Sequence, residues 1–224
     1  MMRYGDGPPG GPLDTPSELI NACAQLYAWG MAPATSGNFS LRAGEDAAWM
    51  TASGRHKGQL TLNDMLRVTL AGEVVGTAGE ATTGRPSAET ALHLALYRRD
   101  PSIGCVLHVH SFAASVMGSL VDVGRFLELT GWELQKALPG IATHRATVLV
   151  PVVDNTQDID ALAVEVDGLL DTYGVGADLA PISAYLIRGH GLYTWGKTLA
   201  DAMRHVEAYD HLLRCELERA RLTR

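Results

Sequence analysis

Short apolar strands joined by tight turns dominate the first half of the chain and limit the folds open to it. Residues 39–42 and 48–51 are predicted strands, and the turn residues 44–46 separate them. Residues 67–70 and 73–75 form a second hairpin pattern. Because a short turn joins antiparallel neighbours, whereas parallel neighbours need a long crossover, these segments favour an antiparallel sheet.

Segments with helical periodicity alternate with the remaining strands. Thr15 and Glu18 form a capping box, which predicts a helix start there. Ser87 is predicted to cap a helix over 88–99. The other predicted elements are helices over 112–117, 126–138, 159–173 and 198–221, and strands over 105–110, 148–153, 184–188 and 192–195. This order predicts an α/β fold in which a mixed, largely antiparallel central sheet carries helices on both faces.

The length suits one folded domain with a short tail. Residues 1–13 are rich in glycine and proline and are predicted to be disordered, and residues 14–224 are predicted to form a single domain. The tail lacks the apolar segment of a signal peptide, and no apolar run approaches the ~18 residues of a membrane helix. We therefore expect a cytoplasmic protein with no membrane partner.

Charge and cysteine usage exclude several classes of function. The formal net charge is −7, which is the opposite of the basic footprint of a nucleic-acid-binding protein. Cys23, Cys105 and Cys215 form no CxxC pair and fit a reducing compartment. Cys105 lies within an apolar strand and no GxSxG motif is present, so a serine or cysteine nucleophile has no support.

Three histidines are candidate metal ligands. His108 and His110 lie two positions apart on a predicted strand, so their side chains point to the same face. His190 lies between two glycines directly after another apolar strand. Three imidazoles leave a fourth position open on zinc, as catalytic zinc sites do, although they would also accept iron, cobalt or nickel. The alternative is three unrelated histidines, each with its own hydrogen bonds.

Two glycine-containing loops and one predicted helix start carry groups that suit an anion. Glycine lets backbone N–H groups approach an anion closely, and a helix N-terminus favours negative charge. The candidate phosphate ligands are Ser36, Gly37, Asn38, Ser53, Gly54 and Ser87. Arg55 and Lys57 follow the second loop. Each feature alone is also typical of an ordinary turn or cap, and neither loop has a nucleotide-binding pattern.

Glu89 and Glu133 are candidate proton-transfer residues. Glu133 lies between Trp132 and Leu134, and such apolar neighbours are expected to raise the pKa of its carboxyl group towards neutrality. The alternative for each is a glutamate on a helix surface. The remaining histidines are predicted to be structural or on the surface, namely His56, His93, His144, His205 and His211.

Taken in order, these motifs resemble the zinc-dependent class II aldolase and adducin-head family over about residues 16–222. The motifs that carry the resemblance are Thr35-Ser36-Gly37-Asn38-Phe39-Ser40, Thr51-Ala52-Ser53-Gly54, Arg85-Pro86-Ser87-Ala88-Glu89, His108-Val109-His110 and Gly189-His190-Gly191. Three further segments resemble the family members that dehydrate a ketose phosphate, namely residues 131–138, 155–158 and 185–196.

The resemblance implies a three-layer αβα fold and a lyase that acts on a small phosphorylated ketose. It implies one zinc ion per subunit on His108, His110 and His190, and a homotetramer with its sites near subunit contacts. It also implies an acid/base role for Glu133, while Glu89 matches the catalytic glutamate of the aldolases. Two alternatives stay open: an aldolase or 4-epimerase with the same fold, and a non-catalytic interaction module like the adducin head.

Overall fold

The computed structural model describes residues 14–81, 84–173 and 181–223, so the predicted disordered tail, 1–13, lies outside the described residues. Within these ranges no helix combines the length and apolar character needed to cross a bilayer. The helices are α1 (Pro16–Ala28), α2 (Thr90–Arg99), α3 (Phe112–Leu120), α4 (Ile159–Tyr173) and α5 (Leu199–Leu222). The strands are β1 (Asn38–Arg42), β2 (Ala47–Thr51), β3 (Met65–Thr69), β4 (Val74–Thr77), β5 (Cys105–Val109), β6 (Phe126–Leu129), β7 (Val148–Val153), β8 (Ala184–Ile187) and β9 (Gly191–Gly196).

The described strands form one sheet in the order β4-β3-β2-β1-β5-β9-β8-β7-β6. Every neighbouring pair is antiparallel except β7 and β8, which are parallel. The predicted mixed, largely antiparallel sheet is therefore confirmed. The central strands bring distant segments together: Asn38 on β1 pairs with His108 on β5, and His108 pairs with Tyr193 on β9.

Helices cover both faces of the sheet and give the predicted αβα layers. On one face α1, α3 and α5 pack over a core that includes Leu26, Met117 and Val206. On the other face α2 and α4 pack against each other over a second core, with Tyr97 and Leu162 among its buried residues. Burial of this apolar surface on both sides of one sheet is the main stabilising contribution to the fold.

The predicted helix starts are formed by the expected side chains. The Thr15 hydroxyl accepts the N–H of Glu18, and the Glu18 carboxylate accepts the N–H of Thr15, which completes the capping box of α1. Thr198 caps α5 in the same way by accepting the N–H of Asp201. These bonds satisfy N–H groups that have no partner within the helix.

The helix predicted over 126–138 is wrong. Residues 126–129 instead form the edge strand β6, with Leu129 opposite Val148 on β7. Gly131 then adopts φ 88°, which a helix does not allow, and Glu133–Ala137 forms a short 3-10 turn. The apolar residues of this segment suit the alternating pattern of a strand as well as a helical stripe, and pairing with β7 decides between them.

The start of α2 also differs from the prediction. The helix begins at Thr90, two residues later than the predicted first residue, and Glu89 precedes it. The Ser87 hydroxyl accepts the N–H of Glu89 at 3.2 Å in the turn before the helix. This turn places the Glu89 side chain at the edge of the sheet, beside the candidate metal ligands.

Candidate active site

Three imidazole rings converge at one end of the central strands. His108 is a buried residue of β5, His110 directly follows that strand, and His190 lies in the turn between β8 and β9. The Nε2 atom of His110 is 2.9 Å from Nε2 of His108 and 3.1 Å from Nε2 of His190, and the third pair is 3.3 Å apart. These three residues are a group that could hold a metal ion.

Hydrogen bonds on the far side of two rings leave their Nε2 lone pairs directed at the shared point. Nδ1 of His108 lies 3.1 Å from the Leu192 carbonyl oxygen, and Nδ1 of His190 lies 3.2 Å from Oδ1 of Asn155. Because both partners are acceptors, each Nδ1 carries the proton. Histidine ligands of metal ions are oriented in this way.

The donor set and its protonation fit a metal ion. Burial and the neighbouring imidazoles lower the pKa of His108 well below its ordinary value, and burial with His190 lowers the pKa of His110 to about 4. Both rings are therefore neutral at pH 7, as ligands must be. A tetrahedral zinc ion with Zn–N bonds of about 2.0–2.1 Å separates its nitrogens by roughly 3.3 Å, close to the spacing here.

The Glu89 carboxylate faces this centre. Its Oε2 lies 3.3 Å from Nε2 of His108 and its Oε1 lies 3.3 Å from Nε2 of His190. Asn38 Nδ2 and the Tyr193 hydroxyl both donate to Oε2 at 2.8 Å. Burial and Glu89 raise the pKa of Tyr193 well above its ordinary value, so the hydroxyl keeps its proton. Oε2 is thus held by two donors, while Oε1 faces His190.

A buried chain of hydrogen bonds fixes the orientation of Asn38. Nε2 of His93 lies 2.5 Å from Oδ1 of Asn38, and Nδ1 of His93 lies 2.8 Å from the Ser40 hydroxyl. The Ser40 hydroxyl is in turn 2.8 Å from the hydroxyl of Tyr97. Because Asn38 gives its amide N–H to Glu89, its Oδ1 accepts from His93. The prediction that His93 is structural therefore describes it incompletely, since it supports the residue that holds Glu89.

A cleft of about 230 Å³ adjoins the three histidines. It is lined by the six candidate phosphate ligands, Ser36, Gly37, Asn38, Ser53, Gly54 and Ser87, together with Thr35, Thr51, Lys57, Glu89, His110 and His190 among others. Gly37 has φ 76°, and a Cβ atom there would lie 2.8 Å from the His108 carbonyl oxygen, so only glycine fits. The structure thus brings the six candidate phosphate ligands, His110, His190 and Glu89 to one cavity.

Glu133 lies elsewhere on this chain and does not line the cleft. Its side chain is 71% exposed and pairs with Lys136 and, at 3.6 Å, with Nδ1 of His144. The hydrogen bond from Lys136 lowers the pKa of Glu133, so the expected upward shift is wrong for this chain. Trp132 turns away from Glu133, and its Nε1 donates to the Glu216 carboxylate at 2.8 Å.

Sequence reasoning missed two residues that support the site. Asn155 lies just beyond β7 and Tyr193 lies on β9, and each touches a candidate functional side chain. A polar residue after the carboxyl end of an apolar strand was the available signal for Asn155. Tyr193 had none, because an aromatic residue inside a strand is typical of core packing.

Comparison with known proteins places the chain in a family. A family model described as "Class II Aldolase and Adducin N-terminal domain" matches residues 17–217. Methylthioribulose-1-phosphate dehydratase of Marinobacter nauticus is 48% identical over 206 residues, which cover 92% of this chain and 94% of that protein. The proteins of the same name from Sorangium cellulosum and Pseudomonas aeruginosa are 45% and 46% identical, and the matches cover at least 90% of both chains.

Solved structures share the fold. L-Fuculose-1-phosphate aldolase from Thermus thermophilus superposes with a TM-score of 0.70 at 23% identity, covering 92% of this chain and 95% of that one. A second L-fuculose 1-phosphate aldolase gives a TM-score of 0.73 at 21% identity, with 96% and 92% covered. The sequence match spans most of the chain and the architecture agrees with it, so this chain belongs to the class II aldolase and adducin N-terminal domain family.

Proposed function

We propose that this chain is a methylthioribulose-1-phosphate dehydratase. It removes water from 5-methylthioribulose 1-phosphate and forms 2,3-diketo-5-methylthiopentyl 1-phosphate, a step of methionine salvage. Relatives of that name match over at least 90% of both chains at 45–48% identity. The observation that carries the proposal is the convergence of three imidazoles and Glu89 beside a cleft lined by serine hydroxyl groups and two glycine loops.

One Zn²⁺ per subunit is the proposed cofactor, with His108, His110 and His190 as its ligands. The spacing of the three Nε2 atoms and the proton positions on His108 and His190 support this assignment. A bound zinc ion would supply Lewis acidity that polarises the substrate ketone and acidifies the neighbouring C–H bond. The protein contributes the fixed ring orientations and the carboxylate beside them.

The phosphate group of the substrate is proposed to bind at the glycine loops. The proposed ligands are Ser36, Gly37, Asn38, Ser53, Gly54 and Ser87. Ser36 and Ser53 offer hydroxyl groups, since their backbone N–H groups already donate to the carbonyl oxygens of Pro33 and Arg85. Gly37 and Gly54 allow close approach of the backbone. All six line the cleft beside the three histidines, so a ligand anchored there presents its carbonyl carbon to the metal ligands.

Two carboxylates are proposed to move the protons. Glu89 removes the proton from C3 of the substrate through Oε1, since Asn38 and Tyr193 hold only Oε2. Glu133 takes up a proton once the cleft of a neighbouring subunit buries its carboxylate, and it donates that proton to the C4 hydroxyl, which leaves as water. The electron pair of the C3–H bond forms the C3–C4 double bond of an enol as the C4–O bond breaks. The enol then takes up a proton at C4 and loses the proton of its C3 hydroxyl, which gives the diketone.

The exposure of Glu133 on the single chain is an argument that several copies of the chain assemble. A carboxylate that is 71% exposed and outside the cleft can act there only if another copy brings it in. We propose a cytoplasmic homotetramer in which residues 14–224 form one catalytic domain and Glu133 serves the cleft of a neighbouring subunit. Exposed apolar side chains near this region and beside His110, such as Leu134 and Phe112, are suited to such a contact.

Product analysis tests the proposed reaction. Zinc-loaded protein is incubated with 5-methylthioribulose 1-phosphate, and the products are identified by mass spectrometry. The proposal predicts loss of one water and no change in the carbon skeleton. Carbon–carbon cleavage would instead make the protein an aldolase, and a ketose of unchanged mass but altered stereochemistry would make it an epimerase.

A further inference from the structure

Lys57 is a buried lysine with no carboxylate partner among the described residues. Its exposed fraction is 2%, and its Nζ donates to the carbonyl oxygens of Thr35 at 2.8 Å and Arg55 at 2.9 Å. A buried ammonium group is costly unless an opposite charge compensates it. Burial accordingly lowers the pKa of Lys57. The missing opposite charge points to an anionic ligand.

Lys57 is also the one lysine or arginine among the described residues that line the cleft. Arg55, which follows the same loop, pairs with Asp64 at 3.1 Å and has a side chain that is 43% exposed. The two cations that follow this loop therefore differ: the charge of Arg55 is compensated by a carboxylate, whereas the charge of Lys57 is not.

The position of Lys57 links both glycine loops. The Thr35 carbonyl immediately precedes Ser36, and the Arg55 carbonyl immediately follows Gly54, so the ammonium group ties the two loops together. Thr35 has φ 66°, a left-handed conformation that is unfavourable for a β-branched residue. The bond from Lys57 to its carbonyl helps to hold that conformation.

A second polar group at the same place has no partner. The Ser36 hydroxyl is buried and makes no hydrogen bond within the described part of the chain. Buried hydroxyl groups are normally hydrogen-bonded, so a buried hydroxyl group that lines a cleft without a partner indicates a ligand contact. The uncompensated ammonium of Lys57 and the unpaired hydroxyl of Ser36 both line the cavity, and they lie close together because Lys57 bonds to the carbonyl of Thr35, the residue before Ser36.

We propose that Lys57 is the charge partner of the substrate phosphate and the residue that holds the two glycine loops in their anion-binding arrangement. This inference rests on the proposed function, since it requires a phosphorylated ligand. It places the phosphate at the Lys57 end of the cleft and the reacting carbons at the histidine end. Lys57 acts in binding and positioning, and it transfers no proton.

The test compares Lys57→Gln with the matched control Lys197→Gln, because Lys197 is exposed. Binding of inorganic phosphate to the zinc-loaded protein is measured by calorimetry, and kcat/KM is measured for methylthioribulose with and without its phosphate. We expect Lys57→Gln to raise the dissociation constant of phosphate roughly 10- to 100-fold, as loss of a charged hydrogen-bond partner does. The same substitution should lower kcat/KM for the phosphorylated substrate, mainly by raising KM, and should leave kcat/KM for methylthioribulose without its phosphate unchanged.

Three outcomes decide the inference. Phosphate affinity equal to wild type in folded Lys57→Gln would overturn it. Equal losses with both forms of the substrate would mean a general structural role and would also overturn it. If phosphate binding weakens as expected but the wild-type protein dehydrates nothing, the inference about Lys57 stands and the proposed reaction fails.

A measurement on the wild-type protein keeps the inference testable if Lys57→Gln does not fold. The chain has only three lysines, Lys57, Lys136 and Lys197, so their side-chain carbon signals can be resolved by NMR. Addition of inorganic phosphate should raise the pKa of the Lys57 ammonium, because a bound dianion stabilises its charged form. An unchanged Lys57 titration at saturating phosphate would contradict the proposal.

Discussion

Oδ1 of Asn155 lies 3.2 Å from Nδ1 of His190, although the two residues are 35 positions apart in the chain. The parallel pairing of β7 with β8 brings them together, because both strands end at the same edge of the sheet. The Ser115 hydroxyl also donates to the His190 carbonyl oxygen at 2.7 Å. His190 is therefore held at both its ring and its backbone, which sets the direction of its Nε2 lone pair.

Asn155→Ala should weaken zinc binding about 10- to 100-fold, as loss of such an outer hydrogen bond usually does. The reason is that the ring of His190 loses the acceptor that fixes its tautomer and orientation. Zinc affinity is measured by competition with a chromophoric chelator. Asn155→Asp keeps an acceptor oxygen and should bind zinc tightly, and the exposed Asn21→Ala is the matched control. Unchanged affinity in Asn155→Ala would mean that this hydrogen bond does not orient the ligand.

Glu133→Gln should lower kcat by about 10²–10⁴, the usual contribution of a positioned acid or base. Zinc content and folding stability should stay near wild type, because the side chain is exposed and lies away from the three histidines. Steady-state kinetics on protein of known zinc content check this, with the exposed Glu128→Gln as control. Near-normal turnover with zinc bound would remove Glu133 from the reaction.

Acid should destabilise the metal-free protein between pH 6.5 and about 4. Burial lowers the pKa of His93 from 6.5 to about 4, so in this window the unfolded chain binds a proton that the folded chain does not. The free energy of unfolding therefore falls as pH falls, by up to ~1.4 kcal/mol per pH unit for one such histidine.

Urea unfolding across this pH range, with chelator present, measures the effect. His93→Gln has no titrating ring, so its stability should fall less steeply with acid than that of wild type. Because carboxylates titrate in the same window, the difference between the two proteins is the informative quantity. If the free energy of unfolding depended on pH in the same way in wild type and His93→Gln, His93 would not be neutral and buried as described.

Gly37→Ala and Gly54→Ala should differ in their effect on stability. Both glycines have φ near +70°, at 76° and 71°, so each alanine brings roughly 1–2 kcal/mol of backbone strain. Only at Gly37 would the new Cβ also collide with the His108 carbonyl oxygen, at 2.8 Å, whereas nothing lies within 4 Å at Gly54. In denaturant titrations, Gly37→Ala should therefore have a clearly lower free energy of unfolding than Gly54→Ala. Equal losses of stability would contradict the close approach of Gly37 to the His108 carbonyl oxygen.

The strands and helices that carry strong local signals could be predicted from the sequence. The capping residues Thr15 and Thr198 mark helix starts because their side chains bond to backbone groups only a few positions away. Residues 126–129 could not be assigned in this way, since their partner strand lies some 20 positions further on and supplies the hydrogen bonds. Where two local structures suit one sequence, long-range pairing decides between them.

In the candidate site, too, the features that depend on local spacing were predictable and those that depend on long-range pairing were not. The spacing of His108 and His110 on a strand places both rings on one face, so their convergence was predictable. The contact of His190 with Asn155 depends on which strands pair in parallel, which no local pattern states. The environment of Glu133 was mispredicted because Trp132, its neighbour in sequence, packs towards Glu216 and leaves the carboxylate to Lys136 and solvent.

The central claim is that the three-histidine centre carries out a dehydration, and a metal titration tests it most directly. Metal-free protein receives increasing zinc, and bound zinc and diketone formation from 5-methylthioribulose 1-phosphate are measured in the same samples. Product formation should rise in proportion to bound zinc and level off at one ion per chain. The variant His190→Ala should neither bind zinc nor form the diketone. Diketone formation by fully chelated protein, or none by protein with one zinc per chain, would contradict the claim.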